Sequence, residues 1–335
     1  MRFPRNAWYA VAASTEVGRA PLARRALGTA VVLYRDSRGD AVALEDRCVH
    51  RPFPLSRGRV EGDDIVSGYS GFRYAPDGRV VSVPTQAKVP VGAHVPAYPV
   101  HEAGGLVWVW LGEPARAARH RAPQTPWLEP GEWHTFGQQW ETRAGAQLLQ
   151  DNFADITHVT VVDPYIAPPA LQSAPPLEVE VTETQVRFWR DFAPAAVPSW
   201  QAEMMGVPVD AQFPQREEGR FVSPGLWVDR WDVEVDGVEG VEARTHSLVF
   251  THAITPVDER TTRHFWRVSR NFASSAAAQG TMEPIFTEYY RRVQGLLETM
   301  QTVLDDSGPR REVSVQADAA MVQVRKIMRR LAAED

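Results

Sequence analysis

The chain has 335 residues, of which 44% are hydrophobic and 23% charged, and carries a formal net charge of −6. These values exclude a disordered chain, argue against non-specific nucleic-acid binding and leave room for two packed domains. Cys48 is the one cysteine, so an intrachain disulfide is excluded.

A lone cysteine points to a reducing cytoplasm. The N-terminal MRFPRNAWYAVAASTEVG lacks the apolar core of a signal peptide, and no run approaches the length of a membrane span. The first 115 residues read as an all-β module. Ala30–Tyr34, Ala41–Glu45, Ile65–Val66, Val80–Val83 and Leu106–Leu111 are rich in β-branched and aromatic residues, and turn signals such as Pro76-Asp77-Gly78 separate them. Residues 116–140, rich in Pro, Arg and His, read as a connector. Ala146–Val162 is helical in pattern, with Leu148, Leu149, Phe153, Ile156 and Val159 at spacings of three and four. Residues 177–192, 225–235, 244–254 and 262–272 alternate as strands. An amphipathic helix follows over Pro284–Leu304, and a last helix runs from Asp318 to Glu334. This order predicts an α+β domain over residues 141–335, with helices packed on an antiparallel sheet.

Two stretches carry metal-site spacing that is incomplete. Cys48-Val49-His50 has the Cys-x-His spacing of one loop of a Rieske [2Fe–2S] centre, which takes two thiolates and two imidazoles. Where a second loop would bring another Cys and His stand Ser67 and Ser70, and a serine hydroxyl is a poor replacement for thiolate. Cys48 as a small buried hydrophobe and His50 as a turn histidine are the plain alternatives. The surrounding CVHRPFPLSRGRVEGDDIVSGYSGFRYAPDGRVVSVP resembles the N-terminal domain of Rieske non-heme iron oxygenases, closest to the vanillate O-demethylase-like group. The likeness extends from FPRNAWYAVA to GGLVWVWLGEP and on through the chain.

The resemblance implies an N-terminal Rieske-type β domain and a C-terminal helix-grip domain holding iron in a triad of two histidines and a carboxylate. The family's Asp-Asn-x-x-Asp-x-Thr-His-x-x-x-x-His pattern falls on Asp151 to Asp163. His158 then matches the first iron ligand, Asp155 the acidic residue that links cluster and iron, and Asp163 the second histidine's place. The third ligand position falls on Tyr289 or Val293. The alternative for His158 and Asp155 is a hydrogen-bonded pair on one helix face.

These departures lead to the expectation of a metal- and redox-independent enzyme, needing no iron cofactor and no reductase. It would bind a bulky, partly apolar metabolite and catalyse isomerisation, elimination or cyclisation such as a cycloaddition. The candidate catalytic residues are His158, Asp155, Asp163 and Tyr289, with His158 held protonated by its two carboxylate neighbours. The predicted pocket combines Asn152, Phe153 and Val293 with His246, Leu248, Phe250 and His252 on one strand face, and Trp227, Trp231 and Trp266 on other strands. Two further readings stand beside this one: a non-catalytic subunit supporting an active oxygenase, and a Rieske-type oxygenase or demethylase with unusual ligands. The family also implies a head-to-tail homotrimer.

Overall fold

The computed structural model describes residues 3–335. It divides into two units, one made of residues 3–125 with 255–258 and 335, the other of residues 126–254 and 259–334.

The first unit is all-β apart from three short helical turns. Its strands begin with β1 (Trp8–Ala13), β2 (Leu22–Ala26), β3 (Thr29–Arg35) and β4 (Ala41–Glu45). Next come β5 (Arg59–Glu61), β6 (Asp64–Val66), β7 (Arg73–Tyr74) and β8 (Val80–Ser82). The unit continues with β9 (Ala97–Tyr98), β10 (Val100–Ala103), β11 (Leu106–Trp110) and the short helix α1 (Pro114–Ala117). Three sheets result, in the orders β1-β11-β10, β2-β3-β4-β9 and β5-β6-β7-β8. Alternate residues of β3 serve two cores, because successive side chains of a strand point to opposite faces. Val31 and Leu33 join Tyr9 and Val109, whereas Val32 and Tyr34 join Leu44, Cys48 and Tyr74. In the Pro76-Asp77-Gly78 turn, Gly78 has φ of +83°, and a Cβ there would run into the Val95 carbonyl.

The second unit is α+β. One seven-stranded sheet is built from β12 (His134–Thr142), β13 (Glu178–Val181), β14 (Val186–Ala195), β15 (Phe213–Ser223), β16 (Leu226–Val235), β17 (Arg244–Pro256) and β18 (Thr262–Arg270). Its order is β12-β18-β17-β16-β15-β14-β13. The helices are α2 (Ala146–Ala154), α3 (Val159–Val162), α4 (Ser199–Met205), α5 (Ala276–Ser307) and α6 (Ala319–Ala333). Phe286 of α5 meets Phe136, Trp200 and Phe250, and Tyr290 stacks on Trp266 with 4.6 Å between ring centroids. These aromatic pairs seat the long helix on the sheet.

Four elements depart from the sequence-based expectation. The predicted helix over Ala146–Val162 is interrupted at residues 155–158. There the Asp155 carboxylate accepts from the Thr157 N–H at 2.9 Å, a local bond that competes with the helical ladder. The long helix starts earlier, at Ala276, with Ser275 as N-cap accepting from Ala278 N–H at 3.1 Å. Strand β15 has no counterpart in the prediction, because Gln215 and Glu217 put polar residues on its buried face. Strand β12 begins within the segment read as a connector.

Candidate functional site

The two loops of the first unit bring their four singled-out residues to one place. Cys48 is buried, and its Sγ lies 3.3 Å from Ser70 Oγ and receives the Tyr74 hydroxyl proton at 3.0 Å. Burial disfavours the Cys48 thiolate, but bonds from Ser70, Tyr74 and the N–H groups of His50 and Arg51 outweigh it and lower the thiol pKa. His50 is exposed and stacks on Phe72 at 5.2 Å. Ser67 is buried, and its hydroxyl faces the Tyr69 and Ser70 N–H groups of its own loop at 3.4 Å. The donors here are one thiol, one imidazole and two hydroxyls, which do not make the two-thiolate, two-imidazole set of a Rieske cluster.

In the second unit, His158 sits between α2 and α3. Its Nδ1 lies 2.9 Å from the Asp155 carbonyl oxygen, and its Nε2 lies 3.3 Å from the Tyr289 hydroxyl. Burial lowers the His158 pKa, with Asp155 acting in the other direction. The expectation of a protonated His158 between two carboxylates is therefore corrected. Asp155 presents its carbonyl rather than its carboxylate, and Asp163 is buried and turned to Arg292 Nη1 at 3.1 Å. Tyr289 and Val293 are both buried on α5. Among the described residues, no group of three His, Cys, Asp or Glu side chains is placed to hold a metal ion. A two-histidine, one-carboxylate triad is thus not assembled from these positions.

A cavity of about 80 Å³, partly open to solvent, lies between the sheet and the helices of this unit. Strand register explains its wall. Glu217 pairs with Trp231 and Trp231 with Leu248; Gly219 pairs with Asp229 and Asp229 with Phe250. Paired residues in antiparallel strands share a face, so these side chains converge. Of the predicted pocket, Phe153, Trp231, Leu248, Phe250 and His252 line the cavity, as does Tyr289. Asn152, Trp227, His246, Trp266 and Val293 do not. Trp227 lies behind the wall, donating its indole N–H to Asp229 Oδ1 at 2.8 Å. Trp266 packs under Tyr290, and His246 packs against Phe272. The cavity also takes in residues that sequence reasoning missed: Trp200 and Gln201 from α4, Glu217 and Asp229 from the sheet, and Phe286 and Tyr290 from α5. The alternation of Trp227, Asp229 and Trp231 was the signal available for Asp229.

The polar groups in and behind this wall form two sets. Glu217 is held by Arg190, whose Nε and Nη2 donate at 2.5 and 3.3 Å, and both side chains are buried. Burial raises the Glu217 pKa against the pull of Arg190. The other set is a chain. His264 Nε2 lies 3.1 Å from His252 Nδ1, and His252 Nε2 lies 3.7 Å from Asp229 Oδ2. Phe153 stacks on the His252 ring at 3.7 Å. Burial holds His252 well below the usual imidazole pKa, with His264 adding repulsion, and pushes His264 down to about 3. Burial raises the Asp229 carboxyl well above the usual carboxylate range, opposed by Trp227 and reinforced by Glu217. The cavity therefore presents aromatic walls and a small number of buried polar groups to an apolar ligand.

The all-β N-terminal unit and the helix-covered antiparallel sheet with its aromatic cavity correspond to the two family domains that sequence comparison finds. The chain belongs to the Rieske-type oxygenase family: residues 7–99 match the Rieske [2Fe-2S] domain, and residues 142–334 match the vanillate O-demethylase oxygenase C-terminal domain. A putative toluene-4-sulfonate monooxygenase system iron-sulfur subunit of Comamonas testosteroni is 31% identical, over 98% of this chain and 96% of its own. A vanillate O-demethylase oxygenase subunit of Pseudomonas sp. is 29% identical over 99% and 96%. In fold the chain matches dicamba monooxygenase bound to 3,6-dichlorosalicylic acid, with a TM-score of 0.87 at 24% identity, covering 100% of this chain and 99% of that one.

These relatives overturn the expectation of a metal- and redox-independent cyclase. They are oxygenase components and iron–sulfur subunits of multicomponent systems, and nothing in the cavity speaks for cyclisation. The expectation of no iron cofactor and no reductase falls with it, since the family is defined by iron–sulfur and iron chemistry. Ser67, Ser70, Asp163 and Tyr289 or Val293 remain the positions at which the sequence resemblance leads one to expect a departure from the family's donors. No helix among the described residues is long and apolar enough to cross a membrane.

Proposed function

We propose that this chain is the substrate-binding oxygenase component of a Rieske-type monooxygenase or demethylase system, supplied with electrons by a reductase. Its C-terminal unit would take up a small, predominantly apolar compound of aromatic-ring size. The observation that carries the reading is the cavity itself, walled by Phe153, Trp231, Leu248, Phe250 and Phe286 around a few buried polar groups. The relatives include a putative toluene-4-sulfonate monooxygenase iron-sulfur subunit and a vanillate O-demethylase oxygenase subunit, both named for single-ring compounds. The assembly we propose is the homotrimer implied by the family, which light scattering on the purified chain would check.

A second reading is favoured by one observation. With hydroxyls at Ser67 and Ser70, the chain would act as a substrate-binding subunit that supports a fully liganded oxygenase. One experiment separates the two. The chain is purified anaerobically, supplied with iron and sulfide, and assayed for reductase-dependent turnover of a panel of single-ring substrates. Turnover by the chain alone with reductase supports the first reading. Turnover only after adding a second, complete oxygenase subunit supports the other. Absence of turnover and of ring-compound binding in both arrangements overturns both.

A further inference from the structure

Taking the pocket as the substrate site, a reading on which this inference rests, we propose that it selects a predominantly apolar molecule bearing a cationic nitrogen, and that Asp229 receives that nitrogen. Asp229 is buried, and it is the carboxyl in the cavity wall that has no cationic side chain as partner. Its Oδ1 accepts the Trp227 N–H at 2.8 Å. Its Oδ2 faces His252 Nε2 at 3.7 Å, too far for a hydrogen bond.

The arginines nearby are already committed. Arg190 holds Glu217, Arg230 holds Asp232 with Ser247, and Arg292 holds Asp163. A carboxylate ligand would therefore enter a cavity that already holds acidic groups, without a free counter-charge, and burying an unpaired anion is costly. A cation gains in two ways. It supplies the counter-charge Asp229 lacks, through a charge-assisted bond, in a cavity that the aromatic side chains of Trp200, Trp231 and Phe286 also line. Gln201 Nε2 and Trp200 Nε1 are buried with no protein partner, and they add donors for an oxygen elsewhere on the same molecule. They are neutral and do not balance a carboxylate. Without a counter-charge, burial drives the Asp229 carboxyl toward its protonated form, and a cation at Oδ2 reverses that tendency.

The test is calorimetric titration of the full chain at pH 7.5 with three matched probes: 4-methylbenzylamine, 4-methylbenzyl alcohol and 4-methylbenzoate. The amine is expected to bind about tenfold or more tighter than either other probe, the size of a hydrogen bond to a charged group. Asp229→Asn should remove that advantage while changing the alcohol by less than about threefold. Benzoate binding as tightly as the amine, or an amine preference that survives Asp229→Asn, overturns the proposal. If the variant does not fold, the ranking of the three probes on the native chain still decides. Alcohol binding without amine preference sinks this inference alone, whereas binding of none of the three sinks the pocket reading as well.

Discussion

At the scale of residues, the cavity wall is set by groups that burial has pushed out of their ordinary protonation range. His252 and His264 both stay neutral well below the usual imidazole value, with His264 at about 3. A histidine whose folded pKa is depressed contributes stability that is complete above its unfolded pKa of about 6.5 and is lost as pH falls toward the folded value. Each of these two should therefore cost about 1 kcal/mol of stability between pH 6.5 and 5.5. Asp229 works the other way, since a raised carboxyl pKa makes stability fall as pH rises. Urea unfolding at a series of pH values should show the acid-side loss shrinking in His264→Gln and growing in Asp229→Asn. A loss that His264→Gln leaves unaltered would refute the assignment. Tyr289→Phe removes the hydroxyl 3.3 Å from His158 Nε2, a long bond, and should lower the unfolding free energy from urea titration by about 1 kcal/mol or less.

At the scale of elements, β14 and β15 are tied by a buried ion pair across adjacent strands. Arg190 and Glu217 are register partners, so the bond follows from strand pairing. Arg190→Ala leaves Glu217 buried and unpaired and should cost about 3–5 kcal/mol in thermal or urea unfolding. Replacing both with apolar residues of similar volume should recover most of that loss. Gly219 is the other constraint on this strand. A Cβ there would run into the Phe188 ring and come within 2.9 Å of Asp229 Oδ1. Gly219→Ala should destabilise by about 1–3 kcal/mol through overpacking. The sequence reading missed β15 because Gln215 and Glu217 break the hydrophobic alternation, and their partners lie on other strands. The same blindness to partners turned residues 155–158 into helix, where a side chain caps the backbone instead.

At the scale of the whole molecule, the architecture was legible in the sequence: an all-β unit followed by helices on an antiparallel sheet. The functional expectation built on lost ligands did not survive comparison with relatives that are oxygenase components. The donor departures at Ser67 and Ser70 can still be measured. Ser67→Cys combined with Ser70→His supplies the missing thiolate and imidazole next to Cys48 and His50. This double variant should retain more iron and sulfide after reconstitution than the native chain and show the stronger red-brown absorption. Equal iron and sulfide in the two proteins would mean that the hydroxyls serve as well as the family's donors.

The sequence by itself determined the fold class, most of the strands and helices and the family likeness, because these depend on residue type and local periodicity. Only the tertiary structure decided which groups meet. It turned Asp163 to Arg292 and set Tyr289 against His158. It also brought Asp229, His252 and His264 into one buried chain from three strands. Burial and strand register fix those meetings, and both arise from contacts far apart in sequence.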